Sequence, residues 1–285
     1  MDPQFAPDLD AYCDRIHYSG PRTPTLATLN AIIAAHVQTI PFENLDILLG
    51  LGVDLSPNVV ECKLVVEGRG GYCFEQNSLL LHVLQSLGYS VQPLSARVRL
   101  GSERSFTPPR THMLLRVDLD GARWLVDVGV GTLSPTCALN LDTDAVQTTP
   151  HEPRRLIREG AWSADDHREP TARLFHQVQL GGAWQDVCEM TLEPMPEIDR
   201  ELSNWYTSTH PTSHFRDRLM VARATNDGRI SLNNRTLTVR AADGTAHKEE
   251  LASPEDLLSV LKEHFGLYFP PKTRFACSGL NWPGA

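Results

Sequence analysis

Arg69-Gly70-Gly71-Tyr72-Cys73-Phe74-Glu75-Gln76-Asn77 is a glycine turn that runs into an apolar helical pattern, with a cysteine at the junction. The pattern continues through Leu79, Leu80, Val83, Leu84 and Leu87, and Gly88 is a suitable stop, so a helix is expected over 73–87. The first N–H groups of such a helix have no partner inside it and favour negative charge. A thiol placed there ionises more readily, and the thiolate is the nucleophilic form. Most lone cysteines are small buried apolar residues. That plainer role fits Cys13, Cys62, Cys137, Cys188 and Cys277; the local context sets Cys73 apart.

Two further runs offer what a nucleophilic cysteine needs. Thr111-His112-Met113-Leu114-Leu115 carries a proton acceptor, and Trp124-Leu125-Val126-Asp127-Val128-Gly129 carries a carboxylate that can fix the imidazole tautomer. A histidine in a strand is more often a satisfied core or surface residue, so it is the combination that carries weight.

Around these runs the chain changes character. Residues 1 to about 90 read mostly as helix, with an amphipathic stretch from Asp8 to Tyr18 and another from Thr25 to Val37 that Pro41 ends. Strands are expected over Ser90–Leu100, Thr111–Leu119, Arg123–Val128, Arg154–Arg158, Ala172–Leu180 and Trp184–Met190. Asp120-Gly121 and Gly181-Gly182 are hairpin signals, and the set reads as a small antiparallel barrel. The last third mixes a helix from Pro196 to Tyr206 with strands at Leu219–Ala224, Gly228–Asn233 and Thr236–Val239. A capped helix is then expected from Ser253-Pro254-Glu255-Asp256 to His264. The expected division is 1–90, 91–195 and 196–285, an α+β chain.

Composition narrows the function. A net charge of −9 leaves no basic footprint for nucleic acid. No apolar run is long enough to span a bilayer, and no signal peptide is evident, so a cytoplasmic protein is expected. The six scattered cysteines form no C-x-x-C pair. Pro211 lies between His210 and His214, so no helical metal pair is expected, and no metal site is assigned.

Five blocks together resemble the arylamine N-acetyltransferases. They are Pro41-Phe42-Glu43-Asn44-Leu45-Asp46, the Arg69–Asn77 run, Thr111–Leu115, Trp124–Gly129, and Asn204-Trp205-Tyr206-Thr207-Ser208-Thr209-His210-Pro211 with Phe215 and Leu219. The resemblance implies a helical bundle, a β-barrel and an α/β lid around a cysteine-protease-like Cys-His-Asp core. It implies acetyl-CoA as co-substrate, no permanently bound cofactor, and acetyl transfer through Cys73 to an arylamine, hydrazine or N-hydroxyarylamine. Glu43 and Arg69 would form a structural brace. Thr111, Gly129, Gly131, Ser208 and Phe215 would meet CoA, and Phe42, Tyr72 and Val130 would line the acceptor pocket. The family commonly has an aromatic where this chain has Val130, which shifts the expected acceptor range. The same triad would serve a carrier-dependent amide synthase of that superfamily, or a papain- or transglutaminase-like hydrolase. A non-catalytic binding module is the remaining alternative. The oligomeric state is not legible in the sequence.

Overall fold

The computed structural model describes residues 5–159 and 173–282. Helices come first. α1 (Leu9–Arg15) is capped by the Asp8 carboxylate, which accepts from Asp10 N and Ala11 N at 3.0 Å. α2 (Leu26–Thr39) ends just before Pro41, which cannot continue it. A two-residue strand, β1 (Phe42–Glu43), precedes α3 (Leu45–Leu48), α4 (Pro57–Glu61), a π-helical turn over Cys62–Val66, and α5 (Cys73–Ser86). The apolar faces of these helices share one core with Met113, Leu115, Val117 and Val126 from the strands that follow.

Those strands are β2 (Ser90–Val98), β3 (His112–Leu119), β4 (Ala122–Val126), β5 (Leu139–Asn140), β6 (Arg154–Glu159), β7 (Arg173–Leu180) and β8 (Ala183–Pro194). They form one antiparallel sheet in the order β5-β4-β3-β2-β8-β7-β6. The sheet curls around Leu94, Leu114, Leu125, Leu156, Leu174 and Val187. Gln147 nearly closes it. Its backbone bridges Arg154 of β6 in both directions, and its side chain accepts from Asn140 N (2.7 Å) and donates to Asn140 O (3.0 Å) on β5. The expected strand start at Ala172 lies outside the described residues.

The chain then forms α6 (Glu197–Thr209), α7 (His214–Asp217), β9 (Met220–Thr225), β10 (Gly228–Asn233), β11 (Thr236–Ala241), β12 (Ala246–Glu250) and α8 (Pro254–Phe265). α6 runs one turn beyond its expected end, up to the break imposed by Pro211. α8 has the expected capping box, with Ser253 Oγ accepting from Asp256 N (3.1 Å) and Asp256 accepting from Ser253 N (3.0 Å). β12 has no sequence signature because Ala-His-Lys-Glu-Glu lacks apolar alternation; backbone pairing with β11 holds this exposed edge. β1 is equally silent in sequence, being too short to alternate, yet it joins the last sheet by pairing with β9. Among the described residues no helix is long and apolar enough to cross a membrane.

Asn44 fastens the last third to the first. Its Nδ2 donates to Phe215 O and Arg218 O, both at 2.7 Å, and its Oδ1 accepts from Met220 N at 2.9 Å. Removing it strands three partly buried backbone groups, each worth about 1–3 kcal/mol when left unpaired. Asn44→Ala is expected to lower stability by roughly 2–4 kcal/mol in urea unfolding. Asn44→Asp, which keeps the acceptor and loses both donors, should fall between that variant and the parent.

Candidate active site

Cys73 is the first residue of α5, so its N–H lies among those that have no intrahelical partner. The helix is capped from within: the Glu75 carboxylate accepts from Tyr72 N at 3.0 Å. That carboxylate ends a partly buried chain of alternating charge. Glu43 Oε1 accepts from Arg69 Nη2 (2.7 Å), which also reaches Asp46 (2.7 Å); Lys63 lies 2.6 Å from both Asp46 and Glu75. Burial works against the ammonium of Lys63 and the guanidinium of Arg69. The surrounding carboxylates win and hold both above their ordinary values. The expected Glu43–Arg69 contact is therefore one link of a longer line whose far end orders the turn before Cys73.

A second buried line fixes the same turn from the other side. Tyr12 O–H meets His36 Nδ1 at 2.8 Å, and His36 Nε2 meets Gln76 Oε1 at 2.5 Å. Gln76 Nε2 donates to Pro41 O (2.8 Å) and Gly71 O (3.2 Å), so its oxygen must accept and His36 Nε2 must carry the proton. Burial pushes His36 down to about 4, which keeps it neutral in this role.

Asp127, just past the end of β4, has none of its surface exposed. Its Oδ2 accepts from His112 Nε2 at 2.7 Å; Oδ1 accepts from Asn77 Nδ2 (3.0 Å) and Gly129 N (2.9 Å). Asn77 also donates to Met113 O (2.7 Å) and accepts from Val128 N (3.1 Å), so one side chain of α5 sets both segments that carry His112 and Asp127. With Nε2 engaged by Asp127, His112 has Nδ1 left for the thiol of Cys73. Burial opposes a charge on His112. The Asp127 carboxylate and the Cys73 sulfur outweigh it and raise the imidazole to about 10. The Cys73 sulfur also lies 3.8 Å from Thr111 O.

Gly129 is constrained by space. A Cβ there would lie 2.6 Å from Cys73 Cα and 2.7 Å from Asn77 Nδ2, so only glycine lets the turn close over Cys73. Beyond it, Gly131 (φ 83°) faces the Phe42 ring, and Val130 is buried with the barrel core. The carbonyls of this loop are held from the last sheet. Arg229 donates to Thr132 O (2.9 Å) and Ser134 O (3.0 Å) and grips Glu152 with two N–H groups at 2.6 and 2.8 Å. Buried Arg154 donates to Leu133 O at 2.9 Å. Burial works against the Glu152 charge, but these two arginines hold its carboxyl at about 2.

The remaining expected residues divide. Phe215 packs edge-on against Tyr72 (5.6 Å between centroids) and near Phe42 (6.4 Å), forming an aromatic wall with them. Tyr72 O–H is bonded to Asn204 of α6. Ser208 turns its hydroxyl back onto Asn204 O at 2.8 Å, within its own helix. Cys188 of β8 carries no signal in the sequence, yet its sulfur lies within 4.8 Å of ligand atoms of both His112 and Asp127. Burial and the anions of Asp127 and Cys73 raise its thiol well above the ordinary range, so it presents a neutral sulfur to the pair.

A cysteine at a helix start, an imidazole and a buried carboxylate in this geometry are compatible with a Cys-His-Asp triad, the set that a cysteine-nucleophile enzyme requires. The N-acetyltransferase family model matches residues 25–273. Arylamine N-acetyltransferase of Mycobacterium tuberculosis is 43% identical over 268 residues, covering 92% of this chain and 90% of that protein. The arylamine N-acetyltransferase / N-hydroxyarylamine O-acetyltransferase of Salmonella typhimurium is 34% identical, covering 91% and 88%. The structure of Mycobacterium marinum arylamine N-acetyltransferase in complex with CoA superposes with a TM-score of 0.82 at 39% identity, covering 91% of this chain and 92% of that one. The chain belongs to the arylamine N-acetyltransferase family, whose members transfer acetyl groups from acetyl-CoA.

The raised imidazole has a stability consequence. Its contribution is complete below the ordinary 6.5 and fades as pH climbs through about 10, so urea stability should fall over that window more in the parent than in His112→Gln. Separately, Gly129→Ala should lower kcat by about 100-fold, since an ångström-scale shift at the nucleophile has that effect. Its circular dichroism spectrum should be unchanged.

Proposed function

We propose that Cys73, His112 and Asp127 carry acetyl transfer in two half-reactions. The Cys73 thiolate attacks the thioester carbonyl of acetyl-CoA, the bond from that carbonyl to the CoA sulfur breaks, and CoA leaves with the proton held by His112. An arylamine, arylhydrazine or N-hydroxyarylamine then attacks acetyl-Cys73. His112 accepts the acceptor's proton, and the thiolate is restored. Asp127 stabilises the imidazolium whenever His112 holds the proton. The Cys73 N–H, at the open start of α5, is the donor assigned to the oxyanion.

The observation that carries this reading is the 2.7 Å contact between His112 Nε2 and the buried Asp127 carboxylate, with Cys73 on the imidazole's other side. On this reading residues 1–90 supply the nucleophile, 91–195 the base and the acid, and 196–285 a lid. Glu43 and Arg69 support the nucleophile's turn. Phe42, Tyr72 and Val130 belong to the acceptor side, with Phe215, Thr111 and Gly131 towards CoA. Ser208 is assigned a helix-internal role, because its hydroxyl is already engaged. All six cysteines are free thiols, which supports a reducing compartment, and we place the reaction in the cytoplasm.

Steady-state kinetics with acetyl-CoA and a series of arylamines should give parallel double-reciprocal lines, as a substituted-enzyme mechanism requires. Intersecting lines would contradict acetyl-Cys73. Turnover only from a carrier-bound acyl chain would point to the amide synthase, and cleavage of amides without any acyl-CoA to the hydrolase.

A further inference from the structure

α6 is built inside out. Its inward face is polar: Arg200 Nη1 donates to Ser78 Oγ (3.4 Å), Ser203 Oγ to Arg110 O (3.2 Å) and Asn204 Nδ2 to Val53 O (3.0 Å), and Thr207 and Ser208 are buried. Its outward face is apolar. Ile198, Leu202 and Trp205 are 58%, 58% and 60% exposed. They fall at i, i+4 and i+7, the spacing with which a surface helix ordinarily meets its own core. At about 100° per residue the three lie within about 60° of one another, opposite Thr207. A ridge of large apolar side chains facing water marks a surface that meets a partner.

Charge is segregated along the same ridge. Glu193, just before the helix, and Glu197, Asp199 and Glu201 in its first half are exposed acids. Glu197 is paired with Arg200 at 3.2 Å. The other end is basic. Exposed Arg216 donates to Thr209 O at 3.0 Å, which holds its guanidinium at the C-terminal end of α6. Exposed Arg218 lies two residues on, with Asp217 between them. Among the described residues Glu193, Asp199, Glu201, Arg216 and Arg218 are in no ion pair. Two such ridges laid parallel would set acid on acid. Laid antiparallel, they set acid on base and also oppose the two helix dipoles.

We propose that a second copy of this chain docks here, α6 against α6 and antiparallel, about a two-fold axis through Leu202. A two-fold contact is self-complementary, so residues equally far before and after position 202 face each other across it. Leu202 meets its own counterpart, and Trp205 of each copy packs beside Ile198 of the other. Thr209, with Arg216 bonded to it, comes opposite position 195, between Glu193 and Glu197. Each active site stays complete within one copy, since the contacts of α6 to Tyr72 and Arg110 lie on its inward side. Three large apolar residues from each copy make a contact smaller than a standard interface. The dimer is therefore expected at the weak end, with a dissociation constant in the micromolar range or above.

Sedimentation velocity of the full, reduced chain, from micromolar to submillimolar concentration, should show a monomer–dimer equilibrium. Leu202→Asp sets two like charges at the axis and should raise the dissociation constant at least about tenfold, with the parent's circular dichroism spectrum kept. Arg216→Glu sets acid on acid and should raise it about threefold or more. Diamide cross-linking with peptide mapping tests the orientation. Leu202→Cys should link copy to copy through position 202. Ile198→Cys should not link to itself, because antiparallel pairing holds the two copies of position 198 about 12 Å apart along the helix, beyond the ~7 Å Cα limit of a disulfide. A monomer throughout, a dimer indifferent to Leu202→Asp, or self-linking of Ile198→Cys with none from Leu202→Cys would overturn the proposal. So would neutral phosphatidylcholine vesicles that carry down a protein monomeric on its own, since the ridge would then belong to a lipid surface.

Discussion

A carboxylate with no surface in water must have its charge met by hydrogen bonds, and Asp127 sets the terms for the whole site. Three donors meet it: His112, Asn77 and the backbone of Gly129. Each donor has a structural consequence. The imidazole is oriented and kept charged. Asn77 draws α5 against the segments that carry His112 and Asp127. The Gly129 N–H pulls the following turn onto the backbone of Cys73, where no side chain fits. The Cys73 environment is therefore the outcome of satisfying a buried acid that lies far away in sequence.

The approach to Cys73 is fixed by groups that never touch the thiol. The line Glu43–Arg69–Asp46–Lys63–Glu75 ends on Tyr72 N, and the line Tyr12–His36–Gln76 ends on Gly71 O. Removing one member of the charged line leaves its neighbours with one opposite charge fewer at partly buried sites, which is more damaging than the pair's net worth suggests. On the opposite side, Arg229 and Arg154 hold the carbonyls of 132–134, and Asn44 carries the Phe215 segment to the aromatic wall. Rigidity at Cys73 is built from both sheets and the helical core together.

The helix begun by Cys73, the hairpin at Asp120-Gly121 and the capped α8 are legible in the sequence because each is a local signal: periodicity, turn chemistry or a cap. The resemblance to a family of acetyltransferases is legible because five blocks occur in order. Asn77 is within reach, since it lies one turn from Cys73 on the same helix face. Other features have no local signal. Phe42–Glu43 becomes a strand only because β9 offers a free edge. Gln147 closes the barrel through contacts seven residues away on each side. Arg229, Glu152 and Cys188 come to the site from segments whose placement is set by the global order of the sheets.

The central claim is that Cys73 becomes acetylated before any acceptor is present. Intact-mass spectrometry with peptide mapping, after mixing the reduced protein with acetyl-CoA alone, tests it directly. The account expects one acetyl group on the peptide containing Cys73, removed on adding an arylamine or hydrazine. A folded, reduced protein that stays unmodified, or that carries the acetyl group elsewhere, would contradict it.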